Sequence, residues 1–274
     1  IRVHLMAWTS KPAAGTYSLN GSTYEPDHLW MCDTGSGTAM SDQGSATAMS
    51  MTLQNADMWG TDGTLGAIIT CVAATSRYAL GATGSMFADT GCLIVVAKST
   101  ANANADANEY IFSAADSASD NGRCGAVAVN GAQTAQVFNL DDIPTTAVQI
   151  HSGTFYDSAW HMLAIKVKTG TGVSTCAISL DGGAWTNDGT ATIGIRTLTR
   201  YGLGVRASST LTQIFDGSIA AAWAYHEPTY ASLDDTWIST LYNSGDPWSK
   251  FLSTSALTNQ QPQFYRRPNT LLRM

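Results

Sequence analysis

The chain has 274 residues, 44% of them hydrophobic, which is enough for a sizeable core and ordinary in length for one large β-sandwich. Only 13% are charged, so Ser, Thr, Asn, Gln and Gly must supply the polar surface, and long helices with charged outer faces are disfavoured. A net charge of −7, with no long basic run or arginine–aromatic cluster in the body, argues against nucleic acid. The longest apolar runs, Leu93–Ala97 and Ile219–Ala224, are too short to cross a bilayer.

Periodicity predicts strands nearly throughout. The first are Arg2–Trp8, Leu29–Cys32, Ala48–Leu53, Ala67–Val72 and Leu93–Lys98. Tyr110–Ala114, Gly125–Val129, Gln136–Leu140 and Val148–His151 continue the series, after a low-complexity loop over 99–108. Trp160–Lys168 and Val173–Leu180 form the clearest pair. One face of the first carries Trp160, Met162, Ala164 and Lys166; the other carries His161, Leu163, Ile165 and Val167. Thr169-Gly170-Thr171-Gly172 joins them as a hairpin. Asp181-Gly182-Gly183 then turns into Ala184–Thr186, followed by Ile193–Ile195, Gly202–Val205 and Leu211–Tyr225.

One helix is signalled. Ser232 is the expected N-cap, with Asp235 three residues on. Leu233, Trp237 and Leu241 give one apolar face, and Asn243, Gly245 and Pro247 end it. Residues 249–274 change character. They hold Lys250, Arg266, Arg267 and Arg273 without a carboxylate, and Pro262 and Pro268 break regular structure. An extended basic arm is expected there, with Phe264, Tyr265, Leu271 and Leu272 able to anchor it on the body or on a neighbour. Five isolated cysteines, Cys32, Cys71, Cys92, Cys124 and Cys176, read as buried free thiols folded in a reducing compartment, with one or two bridges left open by the odd count. Ile1-Arg2-Val3 opens no secretory leader pattern. The fold class expected is all-β: a two-sheet antiparallel jelly-roll sandwich over 1–248, with one short C-terminal helix and an arm over 249–274.

Three stretches together resemble the laminin-G-like/concanavalin-A-like jelly-roll superfamily. They are Trp30-Met31-Cys32-Asp33-Thr34-Gly35-Ser36-Gly37-Thr38 with Asp42, Trp160-His161 leading to Leu180-Asp181-Gly182, and Phe215-Asp216-Gly217-Ser218-Ile219 running through Tyr225 to Leu241-Tyr242. The segment from Leu241 to Trp248, with Phe251 and the Arg- and Pro-containing end, resembles the tail of such domains in bacteriophage structural proteins. That likeness implies a virion component, such as a capsid decoration, fibre or tail protein. It would join other virion proteins or copies of itself through its termini, with Phe264, Tyr265, Arg266 and Arg267 as contacts. The alternative is a carbohydrate-binding module or adhesin, extracellular or at a cell surface, meeting host glycan.

Catalysis finds little footing. Asp33-Thr34-Gly35-Ser36 and Asp89-Thr90-Gly91 match the aspartic-protease turn, but too little chain separates them for each to head a lobe. Sugar hydrolysis in the superfamily implies two glutamates around an aspartate on one strand. Glu25, Glu109 and Glu227 have no acidic partner at strand spacing. His4, His28, His151, His161 and His226 are scattered, without a metal or triad signature. Some relatives bind Ca2+, and Asn102, Asn104, Asp106, Asn108 and Glu109 are oxygen-rich. They lack the glycine and terminal bidentate glutamate of an EF-hand, so a solvated loop is the better reading and no cofactor is expected. For glycan contact, Trp59 and Trp185, flanked by Gly, Asp and Asn, are the candidates for exposed stacking faces.

Overall fold

The computed structural model describes residues 7–82, 90–100, 109–115, 123–129, 134–140, 151–152, 155, 157–168, 176–187, 199–207, 211, 213–226 and 230–254. In chain order the strands are β1 (Tyr17–Leu19), β2 (His28–Trp30), β3 (Ala39–Met40), β4 (Met51–Leu53), β5 (Trp59–Asp62), β6 (Gly66–Cys71), β7 (Ala79–Ala82), β8 (Thr90–Ser99) and β9 (Glu109–Ala115). They continue as β10 (Arg123–Val129), β11 (Thr134–Leu140), β12 (His151–Ser152), β13 (His161–Lys168), β14 (Cys176–Leu180), β15 (Thr186–Asn187), β16 (Arg200–Leu203) and β17 (Gly217–His226). The helices α1 (Asp235–Tyr242) and α2 (Trp248–Phe251) follow, then β18 (Leu252–Thr254).

Two large antiparallel sheets face each other. One runs β12-β11-β10-β9-β16-β7-β4-β3; the other runs β15-β14-β13-β8-β17-β6-β5, with β2 also on β17. Between them lies an inner core that includes Trp30, Met51, Ile69, Leu93, Val95, Phe112, Leu163, Ile165, Ile178, Tyr201, Phe215 and Ile219. This is the all-β sandwich that the strand pattern predicts. The predicted pair at 160–180 is an antiparallel ladder with Leu163 opposite Leu180 and Ile165 opposite Ile178.

The second sheet is buried on its outer face too. Cys92, Ile94 and Val96 of β8, Met162 and Ala164 of β13, and Trp223 of β17 meet Ile238 and Leu241 of α1 and Trp248 and Phe251 of α2. A strand covered on both sides cannot alternate apolar with polar, which is why Leu93–Ala97 is an unbroken apolar run.

Several boundaries differ from expectation. The N-cap is Asp234, whose carboxylate accepts from the Trp237 N–H at 2.7 Å, because Ser232 is already spent in a 3-10 turn over Tyr230–Ser232. Ile238 replaces Trp237 on the buried face, and Trp237 is half-buried. Residues 249–254, expected in the arm, belong to the body: Phe251 fills the outer core beside Trp223, and β18 pairs with β1. Ala7 and Trp8 are not in a strand, and β13 starts one residue after Trp160. The expected Ile193–Ile195 strand, the 169–172 turn and residues 255–274 lie outside the described residues.

Candidate glycan-binding surface

The two sequence-predicted tryptophans do not come together. Trp59 opens β5 and Trp185 precedes β15, at opposite edges of the same sheet. Trp59 is half-buried, backs onto the inner core and donates its indole N–H to the Gly37 carbonyl at 2.8 Å. Trp185 is 8% exposed, with its indole N–H on the Asp234 carbonyl and its backbone N–H on the Asp235 carboxylate. The Lys166 ammonium lies 4.8 Å from its ring centroid. The start of α1 therefore holds the N–H edge of the ring, and Lys166 lies over a face expected to meet a sugar.

A different tryptophan is better placed. Trp160, which shares a face with Met162 and Ala164, is half-buried and packs at the rim of the outer core. Its indole N–H donates to Asp62 Oδ2 at 3.0 Å, and its carbonyl accepts the Trp8 indole N–H at 2.8 Å. Lys98 Nζ sits 4.9 Å from the ring centroid and 3.4 Å from Asp62 Oδ2. Asp62 also accepts the backbone N–H groups of Thr64 and Leu65. Burial opposes its charge, but these donors prevail and hold its carboxyl at about 2. The result is an indole fixed at its N–H, with a permanent anion and a part-exposed cation beside it.

The other polar clusters have structural roles. Asp33 accepts the Tyr17 hydroxyl at 2.5 Å, while Asp89 and Glu227 lie outside the described residues. Glu25 accepts the Gly21 N–H at 2.7 Å, and Glu109, 3% exposed, takes the Asp216 N–H at 3.3 Å. Among the described residues no group of three or more His, Cys, Asp or Glu is arranged to hold a metal. Cys32, Cys71 and Cys92 are buried free thiols, each pushed up by burial.

His161 is held between two carboxylates, with Nδ1 2.7 Å from Asp181 Oδ2 and Nε2 2.9 Å from Asp157 Oδ1. Two anions at two ring nitrogens require both nitrogens protonated. Burial disfavours that charge, but the hydrogen bonds and charges of Asp181 and Asp157 outweigh it and raise the pKa above 6.5. A raised pKa contributes stability that is complete below the unfolded value and lost as pH rises through the folded one. The melting temperature is expected to fall over that window, and a calorimetric pH series on Asp157→Asn/Asp181→Asn is expected to lack that fall. An unchanged pH profile in the double variant would contradict this assignment.

No family model matches the chain, and no curated protein matches it in sequence. Solved structures share its fold at low identity. Part of a Trypanosoma rangeli sialidase in complex with sialic acid aligns at TM-score 0.53 and 8% identity, over 80% of this chain and 33% of that one. The botulinum neurotoxin serotype D/C binding domain aligns at 0.55 and 11%, over 80% and 52%. The CBM40 of a Ruminococcus gnavus IT-sialidase bound to α2,3-sialyllactose aligns at 0.45 and 12%, over 57% and 83%. The sheet topology, with the alignments at 0.53 and 0.55, defines the class as an antiparallel two-sheet β-sandwich. This chain spans about a third of the sialidase and about half of the toxin structure.

Proposed function

We propose that this sandwich is a non-catalytic carbohydrate-recognition module acting outside the cell, with the Trp160 rim as its contact surface. The observation that carries the reading is the fixed, half-exposed indole flanked by Lys98 and Asp62. Pyranose C–H groups stack on such a ring, and a neighbouring ammonium and carboxylate donate to and accept from hydroxyls. An indole already held at its N–H by Asp62, on a backbone held by the Trp8 indole, loses little further freedom on binding. Support from the fold comes from neighbours whose names include a sialic-acid complex and a binding domain. Trp59 is a second, weaker candidate, and the buried Trp185 lies outside the surface.

A glycan array followed by calorimetry tests this. Trp160→Ala is expected to weaken binding at least tenfold, about 1.4 kcal/mol, in a chain that melts earlier yet still unfolds in one cooperative transition. Trp59→Ala is expected to have a smaller effect. A blank array, or full affinity in Trp160→Ala, overturns the reading. The virion role rests on the sequence likeness of 241–251 and the basic tail, and the fold neighbours favour carbohydrate recognition over it.

A further inference from the structure

Strand β17 changes partner partway along one edge. Gly217–Ile219 pair with β6, and Ala222–Ala224 pair with β2. On its other edge β17 follows β8, but the register shifts between Ile219 and Ala221. Ala220 sits at this break. β2 leaves the sheet at the same level, with Cys32 in the left-handed region at φ 48. An interrupted ladder leaves carbonyl oxygens without strand N–H partners, and buried carbonyls need donors.

Lys11 supplies those donors from the N-terminal segment. Its Nζ lies 2.6 Å from the carbonyl oxygens of Met31, Ala67 and Ala220, and 3.3 Å from that of Cys32. The residue is 8% exposed. Three short bonds match the three protons of an ammonium, and the fourth oxygen shares one of them. A water in this place would bring two protons to four acceptors and leave two unsatisfied. Burial pulls the amine down to about 8, with the Asp33 carboxylate opposing the shift, so it remains protonated at neutral pH.

We propose that the junction of β2, β6 and β17 is an ammonium-binding cage of four backbone carbonyls, a site for a primary amine or a small monovalent cation, which Lys11 occupies in order to lock residues 7–20 onto the sheet. The lock is reinforced along the segment. The Thr9 N–H bonds the Gly245 carbonyl at 3.1 Å, the Trp248 indole reaches the Thr9 carbonyl at 3.3 Å, and β1 pairs with β18. The cage stands apart from the carbohydrate reading and does not depend on it.

Chemical rescue tests the cage. Lys11→Ala is expected to melt earlier and to be cut by protease within 7–20. Ammonium or methylammonium chloride is expected to raise its melting temperature with the logarithm of concentration and restore protection. Tetramethylammonium, which has no N–H and is too large, is expected to do neither, and wild type is expected to respond to none of the three. Equal responses to all three salts, or none to any, overturn the proposal. Should Lys11→Ala not fold, acetic anhydride labelling of the wild-type chain decides. Lys11 is expected to react at least tenfold more slowly than the part-exposed Lys250, and equal labelling would refute the cage.

Discussion

Trp30→Ala is expected to destabilise the domain by about 3–5 kcal/mol, against about 5–15 kcal/mol that holds an ordinary domain together. Trp30 is fully buried and joins the two sheets. From β2 its ring meets Phe112 of β9 edge-on at 5.8 Å and Tyr201 of β16 at 5.4 Å. Its indole N–H also donates to the Met49 carbonyl at 2.8 Å. Truncation removes the ring, opens a cavity between sheets that cannot both relax, and orphans that carbonyl. Tyr201 cannot collapse into the gap without leaving Gly81, where a Cβ would stand 2.2 Å from its ring. Trp30→Phe keeps an aromatic bridge and loses the hydrogen bond, so a cost of about 1–3 kcal/mol is expected. Urea unfolding reads both, as a shift in midpoint with an unchanged slope. An alanine variant within about 1 kcal/mol of wild type would show that Trp30 does not join the sheets.

What the sequence shows here follows the range of the interaction. The alternation along β13 separates Leu163 and Ile165 from Met162 and Ala164, and the structure sends those pairs to the inner and outer cores. Period two is a local property, so it survives in the sequence. What lies over a face is not local. Glycine, aspartate and asparagine around Trp185 report the turns beside it, not the helix start some fifty residues later that holds its N–H edge. Asp62, Lys98 and Trp160 are likewise far apart in the chain. Lys98 and Trp160 do follow from the β8–β13 register, which places His161 opposite Ala97 and so brings the next residues side by side. Lys11 carries no signal at all: a lone lysine before a proline reads as surface. Ser232 and Asp234 are both good caps, and only the 3-10 turn decides between them.

Asp42→Ala is expected to cost about 3–5 kcal/mol, because it empties the centre of a buried network. The carboxylate is 1% exposed. Oδ1 accepts the N–H groups of Leu29 and Gly44 at 2.8 and 2.9 Å, and Oδ2 accepts Met49 N–H at 2.7 Å and pairs with His28 Nδ1 at 2.7 Å. Alanine leaves three backbone N–H groups without their acceptor in a loop that has no room to rearrange. At Gly44 a Cβ would fall 2.1 Å from the Asp27 carbonyl oxygen. Asp42→Asn keeps one oxygen and is expected to fall between alanine and wild type. Burial opposes the carboxylate, yet His28 and the three N–H groups together hold its pKa below 3.8. Such a group stabilises the fold above its unfolded value, and that contribution is lost as pH falls through the folded one. Acid unfolding of wild type is therefore expected to be steeper than that of Asp42→Asn, and parallel acid titrations would refute the assignment. Met49 links this network to Trp30, whose indole bonds the Met49 carbonyl. Trp30→Phe and Asp42→Asn act on one short segment, so their double variant is expected to lose less stability than the two single losses added together.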